Sequence, residues 1–193
     1  MGNHGPTMGL GSGFEDILEA ARAGGDWAWA AIYRDLAPAV TGYLGARGAA
    51  SPDDLTGDVF LHLVRSIDSF EGDEGSFRSW VFTVAHNRLI DSVRYEKRRP
   101  AEPVSDDRLQ ALGPRYPDPA EHVSVSLEVE RARRLIARLT PDQQDVLLLR
   151  LFGDLTFEEV AATLGKRVVA VKALQRRGLA ALQREISAQG VSR

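Results

Sequence analysis

The chain contains no cysteine, which excludes a disulfide framework and thiolate metal sites and fits a reducing compartment. No stretch approaches the roughly 20 apolar residues of a membrane helix. Hydrophobic residues nevertheless make up 44% of the sequence, enough for ordinary globular cores. The start lacks the charged segment and apolar run of a secretory signal, and Pro6 stands where a myristoylation pattern needs Ser or Thr. A cytoplasmic protein with no membrane insertion is therefore expected. His4, His62, His86 and His122 show no pairing at three- or four-residue spacing. There is no nucleophile elbow, phosphate loop or zinc-ligand spacing, so the sequence predicts no catalysis, no metal and no cofactor. Asp53, Asp54 and Asp58 imitate a magnesium cluster, but acids at a helix start complement the helix dipole without any metal. Period-two alternation is missing as well, which leaves an all-α fold.

The net charge of −3 conceals a division along the chain. From Lys166 to Arg184 there are six basic residues and no carboxylate. From Arg88 to Arg99, five basic residues face only Asp91 and Glu96. Between them, residues 101–130 hold seven acids against Arg108 and Arg115. Two basic segments separated by an acidic one predict two DNA-contacting modules and a linker with another task.

Local signals place the boundaries. Residues 1–13 carry five glycines and little apolar surface, which predicts a disordered lead-in. A helical domain is expected over 14–99. Within it, Ser51-Pro52-Asp53-Asp54 starts a helix whose stripe is Leu55, Val59, Leu63 and Ile67. The composition of Ser69–Ser76 predicts a loop, followed by a helix from Phe77 to about Lys97. Five prolines between Pro100 and Pro119 predict an extended acidic linker over 100–126. A second helical domain follows over 127–187, with 188–193 as a tail. Its capping boxes start at Thr140 and Thr156, and Gly165 supplies the left-handed residue that ends a helix. The overall expectation is two small helical domains, the N-terminal one a bundle, joined by a flexible linker.

Thr156–Gln183 reads as a helix-turn-helix, the arrangement that lays its second helix in the major groove. Val171, Leu174, Gly178 and Leu182 should face the core of that unit, with Phe157, Val160, Ala161 and Leu164 from the preceding helix. Arg176 and Arg177 project away from this stripe and are candidates for base or phosphate contact. Lys166, Arg167 and Lys172 would position the phosphates. A basic solvated helix in an ordinary bundle is the plainer alternative.

In the helix from Phe77, a core stripe of Phe77, Val81, Val84 and Leu89 leaves Trp80, Thr83, Asn87 and Asp91 on another face. An aromatic, an amide and nearby arginines behind a Gly-rich acidic loop suit an unstacked base. Stacking returns about 1–3 kcal/mol per base, close to the few kcal/mol that extraction costs. A core Trp80, with Asn87 satisfying a backbone group, fits the sequence equally.

Three stretches then carry a resemblance: DDLTGDVFLHLVRSI (53–67), FEGDEGSFRSWVFTVAHNRLIDSVRYEKRRP (70–100) and LTPDQQDVLLLRLFGDLTFEEVAATLGKRVVAVKALQRRGLAAL (139–182). In that order they resemble regions two and four of bacterial RNA polymerase sigma factors of the extracytoplasmic-function (ECF) group. The resemblance implies a sigma factor that directs initiation from promoters with −35 and −10 elements. Its partners would be promoter DNA and core polymerase, through the largest subunit's coiled coil and the flap of the second-largest subunit. An anti-sigma factor is a further partner that the group often has. The protein would associate with the nucleoid when bound to polymerase. Asp54, Asp58, Leu61 and Arg65 would meet the coiled coil. Phe77, Arg78, Trp80, Thr83, Asn87, Arg88, Arg94, Arg98 and Arg99 would hold the melted −10 strand. Lys166, Arg167, Lys172, Arg176 and Arg177 would read the −35 duplex.

Two departures stand out. Gly57-Asp58 replaces the usual Gln-Glu of the polymerase-binding helix, and Ala173-Leu174 replaces Ser-Arg in the recognition helix. The competing function is a stand-alone helix-turn-helix regulator with an N-terminal sensor domain, for which the sequence shows no mixed sheet or apolar pocket signature.

Overall fold

The computed structural model describes residues 10–98 and 130–190, and all regular structure among them is helical. The N-terminal module comprises α1 (Phe14–Arg22), α2 (Asp26–Ala46), α3 (Pro52–Ser66) and α4 (Glu74–Arg98). The C-terminal module comprises α5 (130–137), α6 (Pro141–Phe152), α7 (Phe157–Leu164) and α8 (Val168–Gly190).

Each start has a local cause. Pro52 occupies the first turn of α3 with Asp53 and Asp54, although Ser51 makes no side-chain cap. Its expected stripe is inward: Val59, Leu63 and Ile67 are buried and Leu55 packs against them. Thr56 fastens α3 to α2 through a 2.9 Å hydrogen bond with Thr41. Thr140/Gln143 and Thr156/Glu159 form complete capping boxes on α6 and α7. Gly165 adopts φ 62° between α7 and α8, the turn where a Cβ would be strained.

One boundary differs from the sequence expectation. α4 begins at Glu74 rather than Phe77, because the Asp73 carboxylate accepts a 2.8 Å hydrogen bond from the Ser76 amide. Only residues 70–73 separate it from the short 3₁₀ turn Ile67–Ser69. The glycines that suggested a longer loop did not outweigh this cap.

The modules also meet. Their buried side chains form one continuous core, from Phe14 and Ile32 through Phe82 to Leu149, Val160 and Val171. Nothing local in the sequence indicated this.

Candidate nucleic-acid and polymerase interfaces

The helix-turn-helix face takes its shape from the caps around it. Val171, Leu174 and Gly178 of α8 are buried, leaving Arg167, Lys172, Arg176 and Arg177 exposed. Gly178 permits close approach of α8 to α6, since a Cβ there would lie 2.9 Å from Leu147. Two of the cations are engaged within the module. Lys166 pairs with Asp142 at 3.0 Å, and Lys172 lies over the Phe157 ring at 5.2 Å. Among these five basic residues, Arg167, Arg176 and Arg177 therefore carry the most freely presented charge. Val169, at the head of α8, is 79% exposed. Sequence reasoning passed over it, although an exposed valine on a groove-facing helix suits a thymine methyl.

On α4 the structure separates the expected strand-holding residues. Trp80 is half-buried and stacks on Phe70, with centroids 5.2 Å apart and planes 20° from parallel. Thr83 lies one turn on and is also half-buried, and Asn87 is exposed. Phe70, Ser76, Ser79, Trp80 and Thr83 line a recess of about 410 Å³. Phe77 must be removed from the contact set. Only 1% exposed, it packs edge-on to Phe70 and Trp80 and against Phe14, so it supports the platform from beneath. Arg78 is mostly buried and paired with Asp35 at 3.3 Å, which directs it toward α2. Arg88 reaches the His62 ring at 3.3 Å, and Arg94 lies 3.8 Å from Asp91 on the exposed flank. Arg99, the Arg98 side chain and the acidic linker fall outside the described residues.

The expected polymerase-facing residues share one side of α3. Asp54, Asp58, Leu61 and Arg65 are all exposed at successive spacings of four, three and four, with Leu61 55% exposed. Beside them runs an open groove of about 660 Å³, lined by Trp29, Tyr33, Ala37, Pro38, Phe60 and Val64. Trp29 and Tyr33 come from α2, for which the sequence suggests no role, and Phe60 comes from α3. Tyr33 at four-residue spacing from Trp29 was the available signal. The Gly57 departure costs no packing, since a Cβ there would meet nothing within 4 Å.

A buried polar cluster joins the modules. Arg47, at the end of α2, pairs with Asp145 of α6 at 2.6 Å and also donates to Gln144. His86 Nδ1 lies 3.7 Å from Asp145 and shares a 2.8 Å hydrogen bond with the Tyr43 hydroxyl. Burial pushes the Tyr43 hydroxyl far above the usual phenol range, with Asp145 adding to the effect. Burial also holds His86 below its ordinary value, against the opposing pull of Asp145. The arrangement that suits both has Tyr43 donating to a neutral imidazole.

No group of side chains among the described residues is arranged to hold a metal ion, and no helix among them is long and apolar enough to cross a membrane.

Residues 32–99 match Sigma-70 region 2, and residues 130–182 match Sigma-70, region 4. The ECF RNA polymerase sigma factor RpoE of Cereibacter sphaeroides is 31% identical over 163 residues, covering 83% of this chain and 87% of that protein. The ECF RNA polymerase sigma factor BldN of Streptomyces coelicolor is 30% identical over 171 residues, covering 88% of this chain but 64% of that protein. Among solved structures, CnrH in complex with the cytosolic domain of CnrY gives a TM-score of 0.66 at 21% identity, over 90% of this chain and 96% of that one. The sigma factor RpoE of Bartonella quintana, in complex with the anti-sigma factor NepR, gives 0.61 at 22% identity, over 80% and 94%. At those identities the two structures establish a shared fold. With both sigma regions present in order on that fold, the chain belongs to the ECF group of RNA polymerase sigma factors.

Proposed function

We propose that this protein is a promoter-specificity subunit that binds core RNA polymerase, reads a −35 element as duplex and holds the −10 element as a melted strand. The observation that carries the reading is the pairing of two unlike surfaces in one chain. An exposed cationic recognition-helix face suits duplex DNA, and a Trp80–Phe70 platform beside a base-sized recess suits an unpaired base. A stand-alone regulator has no use for the second surface.

In the first surface, Arg176 and Arg177 make base or phosphate contacts while Arg167 sets the register on the backbone. Lys166 and Lys172 reach phosphate after leaving Asp142 and Phe157. Val169 adds an apolar contact to a thymine methyl. In the second, Trp80 stacks, Asn87 hydrogen-bonds a base edge, and Arg88, Arg94, Arg98 and Arg99 track the strand. The α2–α3 groove, flanked by Asp54, Asp58, Leu61 and Arg65, receives the coiled coil of the largest subunit. Leu179 and Ile186, exposed along α8, supply the apolar contact for the flap of the second-largest subunit. An anti-sigma factor is a further partner, a proposal supported by the NepR complex of the Bartonella relative. The protein's place is the bacterial cytoplasm, with polymerase on the nucleoid. Its contribution is binding and melting, with the chemistry left to polymerase.

The test is run-off transcription by purified core enzyme from a genomic promoter library, with and without the protein. Start sites that appear only with the protein support the reading. Tight autonomous duplex binding without stimulation of any promoter would favour the stand-alone regulator.

A further inference from the structure

Phe70, the ring on which Trp80 stacks, lies where no helix holds it. It sits between the 3₁₀ turn Ile67–Ser69 and α4 with extended backbone, φ −81° and ψ 131°. Gly72 follows at φ 146°, a conformation that favours glycine. A segment of this kind keeps the backbone freedom that helical hydrogen bonds remove. A loose Phe70 would leave half of the stack to be ordered each time a base arrived, a cost that preorganisation avoids.

Three contacts from α1 and the residues before it remove that freedom. The Arg22 guanidinium, in the last turn of α1, donates to the Phe70 carbonyl from 48 residues away in the sequence. The Leu10 amide donates to the Glu74 carboxylate at 2.6 Å, which fastens the first turn of α4. Phe14 packs on Phe77 with centroids 5.5 Å apart, and Phe77 in turn meets Phe70 and Trp80 edge-on. The Phe70 amide closes the 3₁₀ turn on Ile67 at 3.1 Å, so with Arg22 on its carbonyl the residue is held at both ends. The far edge of its ring is confined as well, since a Cβ on Gly72 would lie 3.3 Å from it.

α1 can give such a hold because it is itself fixed. Leu18 and Ala21 are buried. The Gly25 amide bonds the Ala20 carbonyl at 2.8 Å, and the Trp29 indole N–H donates to the Ala21 carbonyl at 3.1 Å. Arg22 differs from these packing residues. Its side chain is exposed, so its bond to Phe70 orients the segment rather than filling the core.

We propose that Arg22 is a positioning residue for strand capture. Through the Phe70 carbonyl it holds the Phe70 ring against Trp80, so that the platform is set before a base reaches it. The proposal rests on the sigma-factor reading and adds to it a residue that lies outside both matched regions. Arg22 itself touches no DNA. Its loss should therefore weaken capture without changing the number of phosphates neutralised, and the salt slope should stay as it is.

The test uses the full chain with three substitutions. Arg22→Ala removes the side chain, Arg22→Met keeps the stem without its donors, and Arg22→Lys keeps a donor and the charge. Fluorinated tryptophan gives a fluorine NMR resonance for each of the three tryptophans, and Trp80→Phe identifies that of Trp80. This resonance should move or broaden in Arg22→Ala and Arg22→Met and return in Arg22→Lys. Holoenzymes of the same variants are compared by permanganate reactivity on a promoter recovered with wild type. Reactivity of the −10 thymines should fall about fivefold or more without the donors, a part of what one stacked base contributes. It should recover in Arg22→Lys, while every variant assembles with core and protects the −35 duplex. An unmoved Trp80 resonance in both donor-free variants would overturn the proposal, and so would a loss that Arg22→Lys does not restore. A salt slope of open-complex formation lowered by about one would make Arg22 a phosphate contact instead, which also overturns it. If wild type drives run-off transcription and the resonance moves, but permanganate reactivity is unchanged, the role in capture falls and the sigma reading stands. If the resonance moves and Arg22→Lys restores it while no promoter responds to wild type, the hold on Phe70 stands and the sigma reading falls.

Discussion

His86 lies among groups from two other helices: the Tyr43 hydroxyl and Arg47 belong to α2 and its end, and the Asp145 carboxylate belongs to α6. Burial lowers its affinity for a proton, and Arg47 adds to that, while Asp145 works the other way. The folded value therefore lies below the ordinary 6.5, so between the two the unfolded chain binds more protons than the folded one. Stability should be full above about pH 6.5 and decline as pH falls through the folded value. Thermal denaturation between about pH 7.5 and 5.5, a range in which unperturbed carboxylates stay charged, should show this decline in wild type. The slope should flatten in His86→Gln, and an equal slope in both would remove His86 as its source. Gly165 gives a second expectation. At φ 62° a side chain costs about 1–2 kcal/mol, so Gly165→Ala should lower Tm by about 2–4 °C per kcal/mol in a calorimetric scan. Single residues were unevenly legible. Gly165 announces itself through its capping pattern. The spacing of Phe77, Val81, Val84 and Leu89 gives the inward stripe of α4, and all four are buried; only the family resemblance set Phe77 on DNA. The Arg47–Asp145 pair spans 98 residues and leaves no local trace at all.

Among the elements, α6, α7 and α8 were nearly complete in the sequence, because capping boxes, Pro at a first turn and a left-handed glycine are local devices. The Thr156 hydroxyl accepts a 3.2 Å hydrogen bond from the Glu159 amide, and the Thr156 amide donates one to the Glu159 carboxylate at 2.6 Å. Removing this cap by Thr156→Ala should cost about 0.5–2 kcal/mol. Chemical denaturation will read it as a lowered midpoint at unchanged m-value. The start of α4 was misjudged because glycine content suggested a loop, while the deciding bond from Ser76 to Asp73 depends on side-chain geometry. The α2–α3 groove, proposed to receive polymerase, was half legible. The exposed row on α3 follows from helical spacing, but the aromatic wall that Trp29 and Tyr33 of α2 form with Phe60 of α3 needs the packing of one helix against another. For α8, the unengaged Arg176 predicts a phosphate or base contact. Arg176→Ala should weaken duplex binding and reduce its salt slope by about one, and an unchanged slope would place Arg176 off the DNA. Val169→Asn should alter preference at a thymine position of a selected duplex pool and leave other positions as they were.

At the scale of the whole molecule, two modules that read separately along the sequence share one core. Family membership was available from motif order, since the three quoted stretches keep their sequence and spacing. The seam between the modules was not, because it depends on Phe152 meeting Gly42, Gly153 meeting Phe82 and Thr163 meeting Thr83 across the long stretch that separates them. The proposed function is a division of labour in which α8 would fix the duplex and the Trp80 platform would capture the strand. Permanganate footprinting on a promoter recovered by run-off transcription, with wild-type, Trp80→Ala and Asn87→Ala holoenzymes, tests that division most directly. Thymines around the −10 element should become reactive with wild-type holoenzyme and stay protected with either variant, while both variants still assemble with core and still protect the −35 duplex. Wild-type reactivity from a variant lacking the platform side chain would contradict the account.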